Sequence, residues 1–344
     1  RVDRRQRQMC IRDRFSLFPK VRPRRLRKNK VIRDLVSETV LSKSKLIQPL
    51  FVSDSIKEKK LIETMPNQYI FSKDDIFFEI EYLLSKGISS FALFPNIDNS
   101  KKDIDGTEAV NADNFICKQV MQIKSRFPSA VLITDVALDP YTITGHDGIE
   151  RDGQIDNDLT LEALNKMSLN LSQSGADIIA PSDMMDGRIG SIRQTLEDNN
   201  QKETIILSYS AKYSSGFYGP FRDAVGSKQN TGITKDTYQM DKKNLREAVK
   251  EANLDINEGA DILMVKPGMP YLDVVKEISS NVSVPVFTYQ VSGEYSMLQM
   301  GIDKKLFEHN VIPETLISFF RAGSTSVITY FAKWVAENYD NISK

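Results

Sequence analysis

From residue 46 onward, short apolar runs rich in β-branched residues alternate with longer amphipathic stretches. This alternation predicts parallel strands separated by helices. Eight runs are predicted to be strands: 46–52, 90–95, 130–137, 177–182, 204–211, 261–267, 284–291 and 326–331. Helices are predicted between them, for instance over 74–86, 111–126, 158–174, 241–258 and 313–321.

Glycine marks the end of several predicted helices, just before the next strand. Gly87, Gly175, Gly259 and Gly323 hold this position, where a residue in the left-handed conformation closes a helix. The repeated order of strand, helix and glycine predicts an α/β fold, and eight strands favour a (β/α)8 TIM barrel over residues 46–344. We prefer the barrel to an open doubly wound sheet, because no glycine-rich dinucleotide fingerprint follows the first strand.

The N-terminal segment differs in charge from the rest of the chain. Residues 1–34 carry fourteen Lys or Arg and three Asp, although the whole chain balances 46 basic with 46 acidic residues. A nucleic-acid tail would explain the basic segment alone, whereas an arm that docks on an acidic neighbouring subunit explains both halves. We assign this arm to 15–45. Residues 1–14 lack helical or strand periodicity and are interpreted as a non-native leader.

Composition limits the cofactors and the location. Cys10, Cys117, His146 and His309 are the only cysteines and histidines, too few for a disulfide framework or a thiolate zinc cluster. Any bound metal must therefore depend mainly on oxygen ligands. No apolar run reaches membrane-spanning length and no signal-peptide pattern opens the sequence. We expect a cytoplasmic protein with no membrane or nucleic-acid partner, and a plastid is the alternative location.

Two lysines stand at the ends of predicted strands. Lys212 closes the run ILSYSAK and Lys266 closes DILMVK. Most lysines are solvated, so a lysine that ends a buried run requires an explanation. A desolvated lysine, or one beside a second cation, has a lowered pKa, and its neutral amine can condense with a ketone to form a Schiff base. Two such lysines predict carbonyl chemistry on two substrate molecules.

Further polar residues are predicted on the same rim of the barrel. Asp135, Ser182, Ser292 and Tyr330 follow or end predicted strands, where barrel enzymes place their chemistry. The long segment 214–240 has four glycines and little periodicity, which predicts a lid. Its Arg222 and Lys235 are candidates to grip a substrate carboxylate.

The segments around both lysines resemble the δ-aminolevulinic acid dehydratase family, also called porphobilinogen synthase. The resemblance includes LITDVALDPYTITGHDG (132–148), IIAPSDMMDGRIGSIR (178–193) and VFTYQVSGEYSM (286–297), and it extends from about 21–27 to 330–337. The family is a group of lyases that condense two molecules of 5-aminolevulinate to porphobilinogen, an early step of tetrapyrrole biosynthesis leading to heme and chlorophyll. The resemblance implies that Lys266 forms the A-site Schiff base and Lys212 the P-site one.

The resemblance also implies roles for the other candidates. Arg222 and Lys235 match positions that bind the A-site carboxylate, although family members often have arginine where Lys235 stands. The remaining matches are Ser292 and Tyr330 at the P-site carboxylate, Asp135 and Ser182 as support for the Schiff-base lysine and substrate, and Phe217 and Gln239 as wall and lid contacts.

Metal dependence is the clearest subtype feature. Zinc-dependent members carry three cysteines where this chain has Ala137, Asp139 and Asp147, so we expect no catalytic zinc. The two aspartates are expected to bind a monovalent cation or the substrate amine. The magnesium-stimulated branch shares the aspartates and implies an allosteric Mg²⁺ at Glu251. Thr144 departs from the histidine that is common in the family, so rim geometry or metal preference is expected to differ.

The family's N-terminal arm wraps a neighbouring subunit, which implies a homo-octamer whose Mg²⁺-linked control acts through assembly. Two other functions remain as alternatives. One is a class I aldolase that uses a single Schiff-base lysine on the same barrel. The other is a catalytically silent barrel that binds RNA through the basic arm.

Overall fold

The computed structural model describes residues 19–227 and 233–342. The predicted leader, residues 15–18 of the arm and residues 228–232 of the predicted lid lie outside the described residues. The chain separates into two units, Arg1–Val40 and Leu41–Lys344. Leu41, the first residue of the second unit, is buried in the core.

Eight parallel strands form a closed barrel. Each strand pairs with its neighbours in sequence order, and the last pairs with the first through Leu46 and Val327. This closed parallel order confirms the predicted (β/α)8 TIM barrel. The strand runs are almost continuously apolar because strands of such a barrel are buried on both faces. The strands are β1 (Leu46–Ser53), β2 (Ser90–Pro95), β3 (Val131–Val136), β4 (Ile178–Pro181), β5 (Ile205–Lys212), β6 (Ile262–Lys266), β7 (Val286–Tyr289) and β8 (Ser326–Ile328).

Helices connect the strands, and all four predicted glycine stops have left-handed φ angles, from 90° at Gly87 to 115° at Gly323. The helices are α1 (Lys30–Leu35), α2 (Asp75–Ser85), α3 (Phe115–Arg126), α4 (Asn157–Gln173), α5 (Arg188–Asp198), α6 (Gly219–Val225), α7 (Arg246–Glu258), α8 (Leu272–Asn281), α9 (Ser292–Asp303), α10 (Val311–Ala322) and α11 (Ala332–Ile342).

Local capping explains where α3 begins. The prediction started this helix at residue 111, but the Asn114 side chain accepts a hydrogen bond of 2.8 Å from the Cys117 N–H and sets Phe115 as the first helical residue. The remaining regular pieces are short: strands Lys60–Leu61, Tyr69–Ser72, Ile149–Arg151 and Gln154–Asp156, and 3₁₀ turns Pro23–Arg27, Lys43–Lys45, Asn99–Lys101, Thr107–Val110, Gly216–Tyr218, Lys235–Thr237 and Met269–Tyr271.

The described part of the N-terminal unit contains one turn of 3₁₀ helix followed by α1. The Asn29 side chain caps α1 by accepting a hydrogen bond of 3.0 Å from the Ile32 N–H. Val31 and Leu35, two of the three apolar residues of α1, are exposed at 76% and 82%. Among the helices described in either unit, none combines the length and hydropathy that crossing a bilayer requires.

Candidate active site

Lys212 and Lys266 are register partners at the carboxyl ends of β5 and β6. Both are buried, with 5% and 6% of their surface exposed. The Tyr213 N–H continues the pairing past the strands by donating to the Lys266 carbonyl at 2.9 Å. The barrel therefore brings the two predicted Schiff-base lysines side by side on its carboxyl-terminal rim, where βα loops build active sites.

One narrow pocket joins nine of the thirteen predicted site residues with Tyr218 and Phe221. The nine are Asp135, Asp139, Asp147, Ser182, Lys212, Arg222, Lys235, Gln239 and Lys266. Phe217, Ser292, Tyr330 and Glu251 do not line it.

Asp147 organises the Lys212 side of this pocket. Its two carboxylate oxygens accept from Lys212 Nζ at 3.2 Å and from Lys235 Nζ at 2.9 Å. The Gln239 amide donates to the same carboxylate at 3.1 Å. Burial acts to raise the pKa of Asp147, but the two ammonium groups outweigh it and hold the pKa below its ordinary value. Asp147 is therefore a carboxylate fixed between two cations.

Two neighbours complete this side. Lys212 Nζ also donates to the Ser182 carbonyl, so the backbone of Ser182, and not its hydroxyl, contacts the lysine. Asp139 is 6% exposed, and burial raises its pKa although Lys235 acts to lower it. Thr144, at the family's usual histidine position, is buried and its hydroxyl accepts from the His146 N–H at 3.4 Å.

Lys266 lies in an aromatic enclosure. Its Nζ is 4.8 Å from the ring centre of Tyr289, 5.0 Å from that of Phe221, and 5.2 Å from those of Tyr209 and Tyr218. Burial, followed by the charge of nearby Lys212, lowers the pKa of Lys266 to about 7. A large fraction of this amine is therefore neutral near pH 7, as Schiff-base formation requires.

Asp135 lines the same pocket as both lysines. Burial raises its pKa to about 7, against the opposing charges of Lys266 and Lys212. One of its oxygens, Oδ1, is buried with no hydrogen-bond partner among the described residues. A carboxyl group with this pKa can exchange a proton near neutral pH.

The structure changes the predicted pairing of lysines and carboxylate-binding residues. Lys212, and not Lys266, shares contacts with Lys235 and Gln239. Lys266 instead contacts the ring of Tyr289, whose hydroxyl is 3.0 Å from the Tyr330 hydroxyl. The resemblance implied the opposite grouping, and sequence order does not indicate which residues of the segment 214–240 lie beside each lysine.

Ser292 and Phe217 lie on this Lys266 side, behind the pocket wall. The Ser292 hydroxyl accepts from the Phe221 N–H at 2.9 Å and donates to the Phe217 carbonyl at 3.3 Å. Ser292 is fully buried, and in this structure its hydroxyl holds the backbone of the predicted lid.

The lid segment, residues 214–240, contains a short helix that the prediction did not include. Arg222 lies on this helix, α6, and lines the lysine pocket. The Asn96 side chain donates to the Ala224 carbonyl and Lys102 Nζ to the Gly226 carbonyl, each at 2.8 Å. Side chains that follow β2 thus satisfy carbonyls at the end of α6.

Glu251 lies outside the lysine pocket, in a separate pocket that also includes Gln239 and Asp186. Burial and nearby Asp255 raise the pKa of Glu251. Within the described ranges, no group of three or more His, Cys, Asp or Glu is arranged to hold a metal ion. The acidic surroundings of Glu251 fit a hydrated cation held by one carboxylate, since such a cation would relieve the repulsion between these groups.

The sequence reasoning missed the aromatic enclosure of Lys266. Tyr209 and Tyr289 stand within two of the predicted strands, and Phe221 stands beside Arg222. The available signal was the presence of a tyrosine near the end of each of these two runs. Nothing in the sequence indicated that all of them converge on one amine.

Comparison with known proteins places this site in a family. The family model described as "Delta-aminolevulinic acid dehydratase" matches residues 20–338. The chain belongs to this family. The delta-aminolevulinic acid dehydratase of Methanothermus sociabilis is 48% identical over 320 residues, covering 93% of this chain and 99% of the relative. That of Bradyrhizobium diazoefficiens is 46% identical over 318 residues, covering 92% and 90%.

A solved structure agrees. The δ-aminolevulinic acid dehydratase of Toxoplasma gondii ME49, in complex with the reaction product porphobilinogen, superposes with a TM-score of 0.91 at 46% identity. The match covers 92% of this chain and 91% of that one. Both lysines, the pocket and the lid of this δ-aminolevulinic acid dehydratase family member fall within residues 20–338.

Proposed function

We propose that the chain condenses two molecules of 5-aminolevulinate to porphobilinogen through Schiff bases on Lys212 and Lys266. The observation that carries this proposal is the in-register pair of buried lysines lining one pocket. Two adjacent amines suit a reaction in which two ketones must be held against each other. Membership of the dehydratase family gives the substrate and the product.

The chemistry balances without an oxidant or reductant. Each lysine amine attacks one ketone, and water leaves as the imine forms. A carbon–carbon bond and a carbon–nitrogen bond then join the two substrates, and both lysines are released. Loss of protons from the ring carbons gives the aromatic pyrrole, so the sum is two aminolevulinates to one porphobilinogen and two waters.

We assign the lysines to subsites by their neighbours. Lys212 serves the subsite that includes Lys235, Gln239 and Arg222, which would bind the A-site carboxylate. Lys266 serves the P site, toward Tyr330 and Ser292. Two sets of contacts support this assignment. Lys235 and Gln239 contact Asp147, the partner of Lys212. Tyr289 contacts both Lys266 and Tyr330.

Asp135 is the proton donor and acceptor that we assign to the Schiff-base steps. The pKa values of Asp135 and Lys266 are both about 7, which suits proton exchange with the substrate near neutral pH. Ser182 would support this carboxyl group and the substrate, since hydrogen bonding from Ser182 lowers the pKa of Asp135.

For metals, we propose no catalytic zinc and an allosteric Mg²⁺ at Glu251. The segment where related enzymes hold zinc has Ala137, Asp139 and Asp147, and both oxygens of Asp147 already contact ammonium groups. The ammonium of Lys235 leaves little need for a further cation at Asp147. A monovalent cation would have Asp139 as its available carboxylate.

We also propose a homo-octamer built through the N-terminal arm, in the cytoplasm. The exposed apolar residues of α1, Val31 and Leu35, support a docking role for the arm.

The deciding experiment is borohydride trapping with 5-aminolevulinate, followed by peptide mapping and assay of porphobilinogen. We expect label on both Lys212 and Lys266 and formation of the pyrrole. Label on one lysine with no pyrrole would indicate an aldolase, and RNA binding without turnover would indicate a silent barrel. Either result would overturn the proposal.

A further inference from the structure

A buried carboxylate lies behind the Lys266 side of the pocket. Glu294 is the third residue of α9, and its surface is 0% exposed. An ionised group in such a place is strongly disfavoured unless hydrogen bonds replace its lost hydration. The partners of Glu294 therefore indicate what it does for the fold.

Those partners are three backbone N–H groups. Glu294 Oε2 accepts from Val291 at 2.6 Å and from Gly268 at 3.2 Å, and Oε1 accepts from Met269. Burial raises the pKa of Glu294 to about 7, and these N–H groups only partly oppose it. Two of the three N–H groups belong to the loop that directly follows Lys266.

Close packing fixes the same loop from the other side. A Cβ atom added at Gly268 would lie 2.5 Å from Cε1 of Phe319 and 2.9 Å from Cγ2 of Thr288. The loop backbone therefore lies directly on the side chains beneath it. Glu294 is the polar group that holds this packed loop to the start of α9.

The first turn of α9 also contacts the segment whose Phe221 ring lies over the Lys266 amine. Ser292 exchanges two hydrogen bonds with the backbone of Phe217 and Phe221, as described above. A Cβ at Gly293 would lie only 2.6 Å from the Phe217 carbonyl oxygen. The ring of Phe221 lies 5.0 Å from Lys266 Nζ. The first turn of α9 therefore contacts both the loop that follows Lys266 and the segment that carries Phe221.

We propose that Glu294 is a positioning residue for Lys266. Its carboxylate fastens the first turn of α9 to Gly268 and Met269, and thereby holds the Lys266 amine against Phe221 for attack on a ketone. Glu294 lines no part of the lysine pocket and acts through these backbone contacts. The inference rests on the proposed function, because it requires Lys266 to form a Schiff base.

Two variants separate the hydrogen bonds of Glu294. Glu294→Gln keeps the size and one acceptor oxygen but replaces the other oxygen with an amide donor, which opposes a backbone N–H. Glu294→Ala removes the acceptor for all three N–H groups. Glu314→Gln is the matched control, because Glu314 occupies the first turn of α10 but is exposed.

The experiment measures borohydride trapping with 5-aminolevulinate at short times, quantified separately in the Lys266 and Lys212 peptides. Loss of a hydrogen bond to a charged group lowers an equilibrium or rate constant by about tenfold or more. We therefore expect the ratio of label on Lys266 to label on Lys212 to fall about tenfold in Glu294→Ala. Glu294→Gln should fall less, and Glu314→Gln should match the wild type. Circular dichroism identifies variants that fold, and Glu294→Gln carries the test if the alanine variant does not.

The outcomes distinguish this inference from the proposed function. A purely structural role for Glu294 would lower trapping at both lysines in parallel, and that result, or an unchanged ratio, would overturn the inference. A wild-type protein that traps neither lysine would contradict the proposed function itself.

Discussion

Lys212 and Lys266 are backbone partners on neighbouring parallel strands, yet their amines have different surroundings. Neighbouring strands lie only about 4.8 Å apart, so two ammonium groups here would repel each other. Lys212 is paired with Asp147 at 3.2 Å, whereas Lys266 is enclosed by aromatic rings. The pair of strands thus supplies one amine held by a carboxylate and a second amine with a pKa of about 7.

The pH dependence of trapping at Lys266 follows from its lowered pKa. Below about 7 the group is an ammonium and cannot attack a ketone, so the initial rate should rise tenfold per pH unit and level off above that value. The measurement is the rate of label incorporation in the Lys266 peptide between about pH 5 and 9. Lys212→Met removes a cation that lowers this pKa, so the midpoint should move to higher pH. A midpoint that stays in place would show that Lys212 does not affect Lys266.

Lys235→Met should destabilise the protein, because it removes one of the two cations that compensate buried Asp147. Breaking a buried ion pair typically costs about 3–5 kcal/mol of unfolding free energy. Urea unfolding followed by circular dichroism gives the change. Lys243→Met is the control, since Lys243 pairs with Asp241 at 3.1 Å but its side chain is 79% exposed. Equal losses of unfolding free energy in the two variants would show that Lys235 does not compensate a buried charge on Asp147.

Asn96→Ala and Lys102→Met should weaken substrate binding by loosening α6 and its Arg222. Each removes one hydrogen bond to a carbonyl near the end of that helix. Loss of one such hydrogen bond changes a binding constant by about fivefold. We therefore expect KM for 5-aminolevulinate to rise about fivefold, with a smaller change in kcat. Lys101→Met is the control, because neighbouring Lys101 pairs with Asp54. A fall in kcat at constant KM would argue against this role.

Metal removal tests the proposed magnesium site. After chelation, added Mg²⁺ should raise the rate of porphobilinogen formation, and Glu251→Gln should abolish that increase because the site loses its charged ligand. Glu162→Gln, on the exposed surface of α4, should respond as the wild type does. If Zn²⁺ alone restored porphobilinogen formation after chelation, the proposal of a zinc-independent enzyme would be wrong.

The arm proposal predicts a change in assembly. Val31→Glu combined with Leu35→Glu places two charges on α1, where both residues are exposed. If this helix docks on another subunit, light scattering should report a smaller particle than the wild type. Replacing Lys28 by Gln, in the same unit, should leave the particle size unchanged. A particle of unchanged size in the double variant would show that α1 is not an assembly contact.

The features predicted correctly from sequence are those set by short-range patterns. Each strand is a run of three to eight mostly apolar residues, and Gly175 and Gly259 occupy the left-handed positions that their helices require. Nine of the candidate site residues line one pocket for a related reason, because strand ends and their loops meet on one rim of a barrel.

What the sequence could not indicate depends on contacts between distant segments. The contact between Lys235 and Asp147, which is 88 residues away, was not predicted. Glu294 gave no sequence signal because its partners are backbone N–H groups of another loop. The neighbours of each lysine have the same origin, since the folding of the segment 214–240 over the rim determines which of its residues lie beside Lys212 and which beside Lys266.

The backbone at the two ends of the lid has a separate implication. Met240 N–H donates to the Lys212 carbonyl at 3.0 Å, and Ser214 N–H donates to the Met240 carbonyl at 2.9 Å. The segment therefore leaves and rejoins the barrel at one point, whatever its length. Insertions, deletions or exchange of the whole segment with that of a relative should leave Lys212 in place, so substrate preference can diversify here without rebuilding the catalytic strand.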